Sequence, residues 1–135
     1  MTNYLLDTHI FVNAYIKPEK IGKQIAKIIN GDTKKYISAV TLIEIAQLFE
    51  SKPKEFKMSV TLEEFIEKAL DDLKVEILNI SPKDAQRFYE IQLMKDHKDQ
   101  YDRMIIAQGS KKNFIILSDD EKFPFYPIVL ISNER

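Results

Sequence analysis

The chain has 135 residues, of which 44% are hydrophobic and 30% charged, and its formal net charge at pH 7 is −1. These values are typical of a globular protein, so we expect residues 1–135 to form a single domain with one core. The charge excludes the overall footprint of a strongly basic nucleic-acid binder, and the absence of Cys excludes disulfides, thiolate metal sites and a thiol nucleophile. No apolar run is long enough to span a membrane, and neither a signal peptide nor a membrane partner is expected, so we predict a cytoplasmic protein.

The N-terminal residues predict a buried strand that ends directly at a carboxylate. Residues 4–6 form a short continuous apolar run, whereas the apolar residues from Ile10 to Tyr15 recur at helical spacing. Asp7 therefore lies where a strand ends and a helix begins. In an open parallel α/β sheet, ligands bind at the carboxyl ends of the strands. Other acids near that edge become partners for Asp7.

The rest of the chain continues to alternate between strand and helix patterns. We expect a helix from Pro18 to Asn30, a strand over 36–38, a helix over 40–49, a loop over 51–59, a helix from Thr61 to about Leu73, a strand over 75–80, a helix from Ser81 to about Leu93, a polar connection over 96–100, a helix over 101–111, and strands over 114–117 and 128–131. This alternation predicts a three-layer α/β/α sandwich with a mostly parallel central sheet of four to five strands.

Glu44 is the only charged residue between residues 36 and 49. With Ser38, Thr41 and Gln47 it forms a narrow polar stripe at three-residue spacing, whereas an ordinary surface helix has a broader charged face. Two interpretations are open. Glu44 is either a functional acid or the second half of a capping box that begins at Thr41.

Two further pairs of acids occur near predicted element ends. Asp99 and Asp102 stand at the start of an apolar helix, where Asp99 is expected to cap the helix and Asp102 lies next to its buried face. Asp119 and Asp120 follow the strand over 114–117, and the alternative for this pair is a turn or a cap. The joint placement of these acids at strand exits and on apolar helices is less easily explained by local structure.

Several carboxylates in one pocket repel each other, so such a site must bind protons or a cation. Oxygen ligands in a chain without Cys favour Mg²⁺ or Mn²⁺, and the chemistry that follows is metal-assisted hydrolysis of a phosphodiester. Thr8 and Ser38 are expected to hold a carboxylate or a metal-bound water, or to cap helices. Neither of the two histidines, His9 and His97, belongs to an arrangement that indicates a catalytic triad.

Four motifs follow one another along the chain: Leu6-Asp7-Thr8-His9, then Ile37-Ser38-Ala39-Val40-Thr41 leading to Glu44, then His97-Lys98-Asp99-Gln100-Tyr101-Asp102-Arg103, then Leu117-Ser118-Asp119. Together they resemble the PIN-domain family, especially the ribonuclease toxins of VapBC-type toxin–antitoxin modules, over almost the whole chain. The chain departs from the usual pattern at Gln100-Tyr101, where Pro-Phe is common, and at Asp120, where an Arg is frequent.

The resemblance implies a Mg²⁺- or Mn²⁺-dependent endoribonuclease, the toxin of a type II toxin–antitoxin system. By motif, the catalytic and metal-binding acids are Asp7, Glu44, Asp102 and Asp119, with Asp99, Thr8 and Ser38 as accessory residues. It further implies that the first and fourth strands are neighbours, that RNA is the substrate, and that the protein forms homodimers and binds a cognate antitoxin.

Two other functions compete with this interpretation. One is a PIN-like module that binds RNA or protein without cutting. The other, from a different class, is a receiver-type phosphoacceptor domain. A receiver domain requires an acid pair at the first strand exit and an Asp after the middle strand, whereas this chain has the single Asp7 and Asn79.

Overall fold

The computed structural model describes residues 1–51, 60–91 and 99–133. Within these ranges, five strands alternate with six α-helices and two short 3₁₀ turns, and the two turns cover Pro18–Lys20 and Phe123–Phe125. The strands are β1 (Asn3–Leu6), β2 (Lys34–Ser38), β3 (Glu76–Leu78), β4 (Phe114–Ser118) and β5 (Leu130–Ser132). The helices are α1 (Thr8–Ile16), α2 (Lys23–Asn30), α3 (Ala39–Ser51), α4 (Leu62–Leu73), α5 (Pro82–Glu90) and α6 (Gln100–Gly109).

All strand pairs are parallel, and the sheet has the order β3-β2-β1-β4-β5. The first strand is central, because Leu6 lies opposite Ile37 on one side and opposite Leu117 on the other. The chain builds outward from β1 to β3 and then returns to the other side of β1, so the topological switch point lies between β1 and β4. The predicted neighbourhood of the first and fourth strands is confirmed. The order differs from the 2-1-3-4-5 order of receiver-type folds, so the phosphoacceptor alternative does not fit this sheet.

The sheet is covered on both faces, as the sequence predicts. Leu5 and Leu6 are both fully buried but belong to different apolar clusters, because successive strand residues point to opposite faces. Helices α1 to α4 cover one face through buried side chains that include Ile10, Phe11, Ile25, Ile45 and Phe65. The other face is covered by α6 and the second 3₁₀ turn through Ile105, Ile106 and Phe123. The three-layer α/β/α architecture is therefore confirmed.

The expected helix from Pro18 to Asn30 is wrong in its first part. Pro18 starts a 3₁₀ turn, Ile21 is extended, and α2 begins only at Lys23 after Gly22 as N-cap. The backbone N–H of Gly22 donates a hydrogen bond of 2.7 Å to Asn133 Oδ1. This contact joins the connection before α2 to a residue that follows 111 positions later in the chain.

The other boundaries differ by a few residues. The expected strand over 75–80 is shorter, since β3 covers only Glu76–Leu78 at the edge of the sheet. The helix expected to reach Leu93 ends at Glu90. Most of the expected loop over 51–59 and of the expected polar connection over 96–100 lies outside the described residues, which exclude 52–59 and 92–98. Among the helices that are described, none has the length and apolarity needed to cross a membrane.

Candidate active site

Asp7 lies at the switch point of the sheet. Its backbone N–H donates a 3.0 Å hydrogen bond to the carbonyl of Leu117, which extends the β1–β4 pairing by one residue. The carboxylate is 5% exposed and caps α1, because Oδ1 accepts a 2.9 Å hydrogen bond from the backbone N–H of Ile10. The other oxygen, Oδ2, accepts a short hydrogen bond from the hydroxyl of Ser118. Both carboxylate oxygens are thus fixed by neutral donors.

Ser118 is a site residue that the sequence analysis did not select. It is buried at the end of β4, where its hydroxyl donates to Asp7 and accepts a 3.0 Å hydrogen bond from the backbone N–H of Asp120. The signal that could have found it is the register of the sheet. Because Leu6 pairs with Leu117, the next residue of each strand faces the other, which brings Ser118 to Asp7.

Glu44 reaches the same edge of the sheet from α3. Its Oε1 accepts a 2.6 Å hydrogen bond from the hydroxyl of Thr8, the first residue of α1. The hydroxyl of Thr8 also lies 3.0 Å from the hydroxyl of Thr41. Since α3 already begins at Ala39, Thr41 is not the cap of this helix, and the capping-box interpretation of Glu44 does not describe the structure.

The remaining residues of the polar stripe have different contacts. The hydroxyl of Ser38 accepts a 3.2 Å hydrogen bond from the backbone N–H of Val40, in keeping with the helix-cap alternative for this residue. Gln47 donates from Nε2 to the hydroxyl of Tyr101 over 3.0 Å. This bond joins α3 to the first turn of α6, directly beside Asp102.

The acids of α6 have separate positions. Asp99 is the N-cap, and its Oδ1 accepts hydrogen bonds from the backbone N–H groups of Tyr101 at 2.8 Å and Asp102 at 3.2 Å. The capping role expected for Asp99 is therefore observed. Asp102 is half-buried in the first turn of α6, and its negative charge acts on both Asp7 and Glu44.

The two acids after β4 also separate. Asp119 is exposed, and its charge acts on Asp7. Asp120 is half-buried and forms a turn, because its Oδ1 accepts a 2.8 Å hydrogen bond from the backbone N–H of Lys122. Within the pair, Asp119 thus interacts electrostatically with Asp7, whereas Asp120 stabilises the local turn.

Burial raises the pKa of Asp7 from 3.8 to about 7. The hydrogen bonds from Ser118 and Ile10 act in the opposite direction, and the charges of Asp119 and Asp102 raise the pKa further. Asp7 is therefore poised between its neutral and ionised forms near neutral pH.

Burial likewise raises the pKa of Glu44 from 4.5 to about 7. The hydrogen bond from Thr8 lowers it, whereas the charges of Asp99 and Asp102 raise it. The carboxylates of Asp7, Glu44, Asp99 and Asp102 thus form one electrostatically linked group. Ionising all of them requires a compensating positive charge.

That positive charge does not come from a side chain in the described part of the protein. Over residues 1–51, 60–91 and 99–133, no Lys or Arg forms an ion pair with Asp7 or Glu44, and the ion pairs present there involve Asp84. No three or more acids or histidines in these ranges are arranged closely enough to hold a metal by themselves. Mg²⁺, however, keeps several waters and is usually bound through one or two carboxylates. The donor set of carboxylate and hydroxyl oxygens therefore fits Mg²⁺ or Mn²⁺ with a largely hydrated shell.

His9 is exposed, and His97 lies outside the described residues. The carboxylate and hydroxyl oxygens at this edge of the sheet are the donor types that suit a hydrated divalent cation, and such an ion could act on a phosphate ester.

Comparison with protein-family models gives a match to the PIN domain over residues 4–127. A search of curated protein sequences gives no match. The family match includes Asp7, Glu44, Asp102 and Asp119 within its bounds.

Comparison with solved structures gives similar folds over nearly the full chain. One is DNA-bound VapBC from Salmonella typhimurium, with a TM-score of 0.69, 19% identity and coverage of 98% of both chains. Another is VapBC2 from Rickettsia felis bound to a DNA fragment from its promoter, with a TM-score of 0.71, 19% identity, and coverage of 98% of this chain and 100% of the other. A third is a toxin–antitoxin complex from Klebsiella pneumoniae, with a TM-score of 0.65, 18% identity and coverage of 98% of both chains. At these identities, the likeness shows the fold.

Proposed function

This chain belongs to the PIN-domain family, and we propose that it is a metal-dependent endoribonuclease that hydrolyses RNA phosphodiester bonds. PIN nucleases generally use a divalent metal. The observation that carries the proposal is the pair of carboxylates at one edge of the sheet, the buried Asp7 at the switch point and the half-buried Glu44 beside it. Each is held by a hydroxyl, and no cationic side chain of the described residues pairs with either.

We assign the catalytic and metal-binding roles to Asp7, Glu44, Asp102 and Asp119. Asp7 and Glu44 would hold Mg²⁺ or Mn²⁺ directly, because hydrogen bonds fix the orientation of both carboxylates. When bound, the ion would lower the pKa of a coordinated water and neutralise charge that develops on the phosphodiester. Asp102 and Asp119 add negative charge around Asp7, and they would bind waters of the hydrated ion.

The accessory residues position these acids. The hydroxyl of Thr8 holds Glu44 over 2.6 Å, and Asp99 caps α6 so that the first turn of this helix, with Asp102, is ordered. The hydroxyl of Ser38 accepts a hydrogen bond from the backbone N–H of Val40, which supports a structural role at the start of α3. We add Ser118 to the accessory residues because its hydroxyl contacts Asp7.

We further propose that the protein is the toxin of a type II toxin–antitoxin system, acts as one domain over residues 1–135 in the cytoplasm, forms homodimers and binds a cognate antitoxin. The similar folds are those of VapBC complexes from Salmonella typhimurium and Rickettsia felis, which supports an antitoxin partner. Ile43 on the outer side of α3 is 52% exposed, and an exposed apolar side chain one residue before Glu44 is suited to a protein contact beside the site.

The test is cleavage of total cellular RNA by the purified protein with Mg²⁺, with Mn²⁺ and with chelator. We expect discrete fragments that require the metal. Asp7→Asn and Glu44→Gln should each reduce cleavage by at least about 100-fold, since even residues behind a metal ligand typically contribute 10- to 100-fold.

Matched controls are Asp71→Asn and Glu67→Gln, which make the same chemical changes on the exposed face of α4. They should cleave like the wild type. If Asp7→Asn and Glu44→Gln cleaved as well as these controls, the site assignment would be wrong. RNA binding without turnover at any divalent ion would instead favour the non-catalytic module.

A further inference from the structure

Thr41 is a fully buried polar residue whose side chain faces the candidate site. It lies on α3 one turn before Glu44, and none of its surface is exposed. A hydroxyl in such a place needs a hydrogen-bond partner, because water cannot supply one. The partner is the hydroxyl of Thr8 at 3.0 Å, and the same Thr8 oxygen lies 2.6 Å from Glu44 Oε1.

The chemistry of the three groups fixes the direction of these bonds when Glu44 is ionised. An ionised carboxylate only accepts, so the single hydroxyl proton of Thr8 goes to Oε1. Thr8 then has no proton left for Thr41, and the contact between the two hydroxyls requires Thr41 to donate. The proton order is therefore Thr41 to Thr8 to Glu44.

Building on the proposed function, we propose that Thr41 is a positioning residue of the metal site. Its hydroxyl fixes the rotamer of Thr8, and Thr8 in turn holds Oε1 of Glu44. The hydrogen bonds of Glu44 in the described part of the protein reach Oε1, so Oε2 stays available as a metal ligand. Thr41 thus acts on Glu44 through two hydrogen bonds by way of Thr8 on α1, and it sets the orientation of a ligand on its own helix.

The decisive property of Thr41 is its hydroxyl donor, since the shape of the side chain alone would not fix the orientation of the Thr8 hydroxyl. Val has almost the same shape as Thr without the hydroxyl, whereas Ser retains the hydroxyl without the methyl group. Without the donor, Thr8 is free to turn its oxygen away, and Glu44 loses a fixed orientation. Partners behind a metal ligand typically contribute 10- to 100-fold to metal affinity.

The experiment measures Mn²⁺ affinity of the metal-free protein by isothermal titration calorimetry, alongside thermal melting and RNA cleavage. We expect Thr41→Val to weaken Mn²⁺ binding by about 10-fold and Thr41→Ser to bind within about twofold of the wild type. The matched control is Thr33→Val, which removes a hydroxyl bond of 2.9 Å to the Ile28 carbonyl at the opposite edge of the sheet. It should leave Mn²⁺ affinity unchanged.

A Thr41→Val protein that melts earlier but binds Mn²⁺ like Thr33→Val would overturn the inference, since Thr41 would then serve stability alone. Equal losses in Thr41→Val and Thr41→Ser would also overturn it, because the hydroxyl would not be the cause. Should Thr41→Val not fold, Thr41→Ala takes its place with the same expectations.

Glu44→Gln separates this inference from the proposed function. If Glu44→Gln weakens Mn²⁺ binding and cleavage while Thr41→Val does not, only the role of Thr41 fails, and if Glu44→Gln changes neither, both fail.

Discussion

The carboxylates of the buried Asp7 and the half-buried Glu44 are each held by one hydroxyl in place of a cation. Ser118 donates to Asp7, and Thr8 donates to Glu44. A hydroxyl fixes the orientation of a carboxylate without cancelling its charge, whereas Lys or Arg would neutralise it and occupy the space next to it. The negative charge therefore remains available for an external cation, at a cost in stability when none is bound.

That cost gives a pH dependence to the metal-free protein. The pKa of Asp7 is about 7 when folded and 3.8 in an unfolded chain, so between these values the folded state binds more protons than the unfolded one. The free energy of unfolding must then fall as the pH rises from about 4 to about 7, by up to about 4 kcal/mol at 1.36 kcal/mol per pKa unit. Urea unfolding at pH 5 and pH 8 in chelator measures the part of this fall above pH 5, which is about 3 kcal/mol at the same 1.36 kcal/mol per pKa unit.

Asp7→Asn cannot ionise, so this variant should lose most of the pH-dependent fall, although Glu44 shifts in the same direction and keeps part of it. Asp71→Asn on the exposed face of α4 should retain the full dependence. Equal pH dependence in Asp7→Asn and the wild type would mean that Asp7 is not the strained acid.

The sequence indicates Asp7 because a strand that ends in an acid has a recognisable pattern, and Glu44 because it is alone in an apolar helix. It does not indicate which hydroxyl meets which acid. Ser118 reaches Asp7 over a separation of 111 residues, and Thr8 reaches Glu44 over 36. Such pairs depend on strand register and on the angle between helices, which local patterns do not specify.

At the scale of elements, α6 packs against the sheet through a glycine. A Cβ built on Gly109 would lie 2.2 Å from Cδ1 and 2.3 Å from Cγ1 of the buried Ile116. Gly109→Ala should therefore overpack this contact and lower the free energy of unfolding by about 1–3 kcal/mol. Chemical denaturation gives the value.

The control is a double-mutant cycle with Ile116→Ala, which removes both clashing atoms at its own cost in burial. The penalty of Gly109→Ala should be smaller in that background. If the two changes were additive, close packing of α6 on β4 would not be the reason for the glycine.

A second feature at the scale of elements is an ion pair that joins α5 to the end of α6. Asp84 is fully buried, and its Oδ1 lies 2.8 Å from Nζ of Lys111. Burial alone would raise the pKa of Asp84, but the hydrogen bonds from Lys111, the Ser81 backbone and Gln108 outweigh it and hold the pKa below its usual value. Asp84 also completes the capping box of α5 with Ser81. One carboxylate thus starts α5 and fixes it to the end of α6.

Removing Lys111 should be costly, because the buried Asp84 would then keep only the longer ion pair with Arg87, at 3.6 Å, among the ion pairs of the described residues. We expect Lys111→Met to lower the free energy of unfolding by about 3 kcal/mol. Lys112→Met changes the exposed neighbour and should alter stability by less than about 0.5 kcal/mol. Similar values for both variants in urea unfolding would show that the pair contributes little.

Most elements follow from local patterns in the sequence, and the exceptions have long-range causes. The Ser81 and Thr61 capping motifs both form capping boxes that start α5 and α4. The segment after Pro18, by contrast, has the apolar spacing of a helix but is interrupted at Gly22, whose N–H is bound by Asn133. No local pattern contains that contact, because its two partners are 111 residues apart.

At the scale of the whole molecule, a bound ion should stabilise the fold. A ligand that binds only the folded state at 100 times its Kd adds about 2.7 kcal/mol, which corresponds to a rise in Tm of roughly 8 °C for a domain of this size. We expect this rise with Mn²⁺ in thermal melting of the wild type and of Glu67→Gln. Glu44→Gln and Asp7→Asn should show little or none, and a rise of equal size in all four proteins would place the bound ion elsewhere.

The central position of β1 also bears on when the protein becomes active during its synthesis. A nascent chain contains Asp7 well before its partner, because the strand that carries Ser118 follows 111 residues later. Contacts of such high sequence separation form slowly and late in folding. A ribosome that adds about 5–20 residues per second therefore holds an incomplete sheet for several seconds, with Asp7 and Glu44 already made and β4 still missing. On the proposed function, a chain that lacks β4 is harmless to the cell's RNA, and nuclease activity begins only after residues 114–118 have been made.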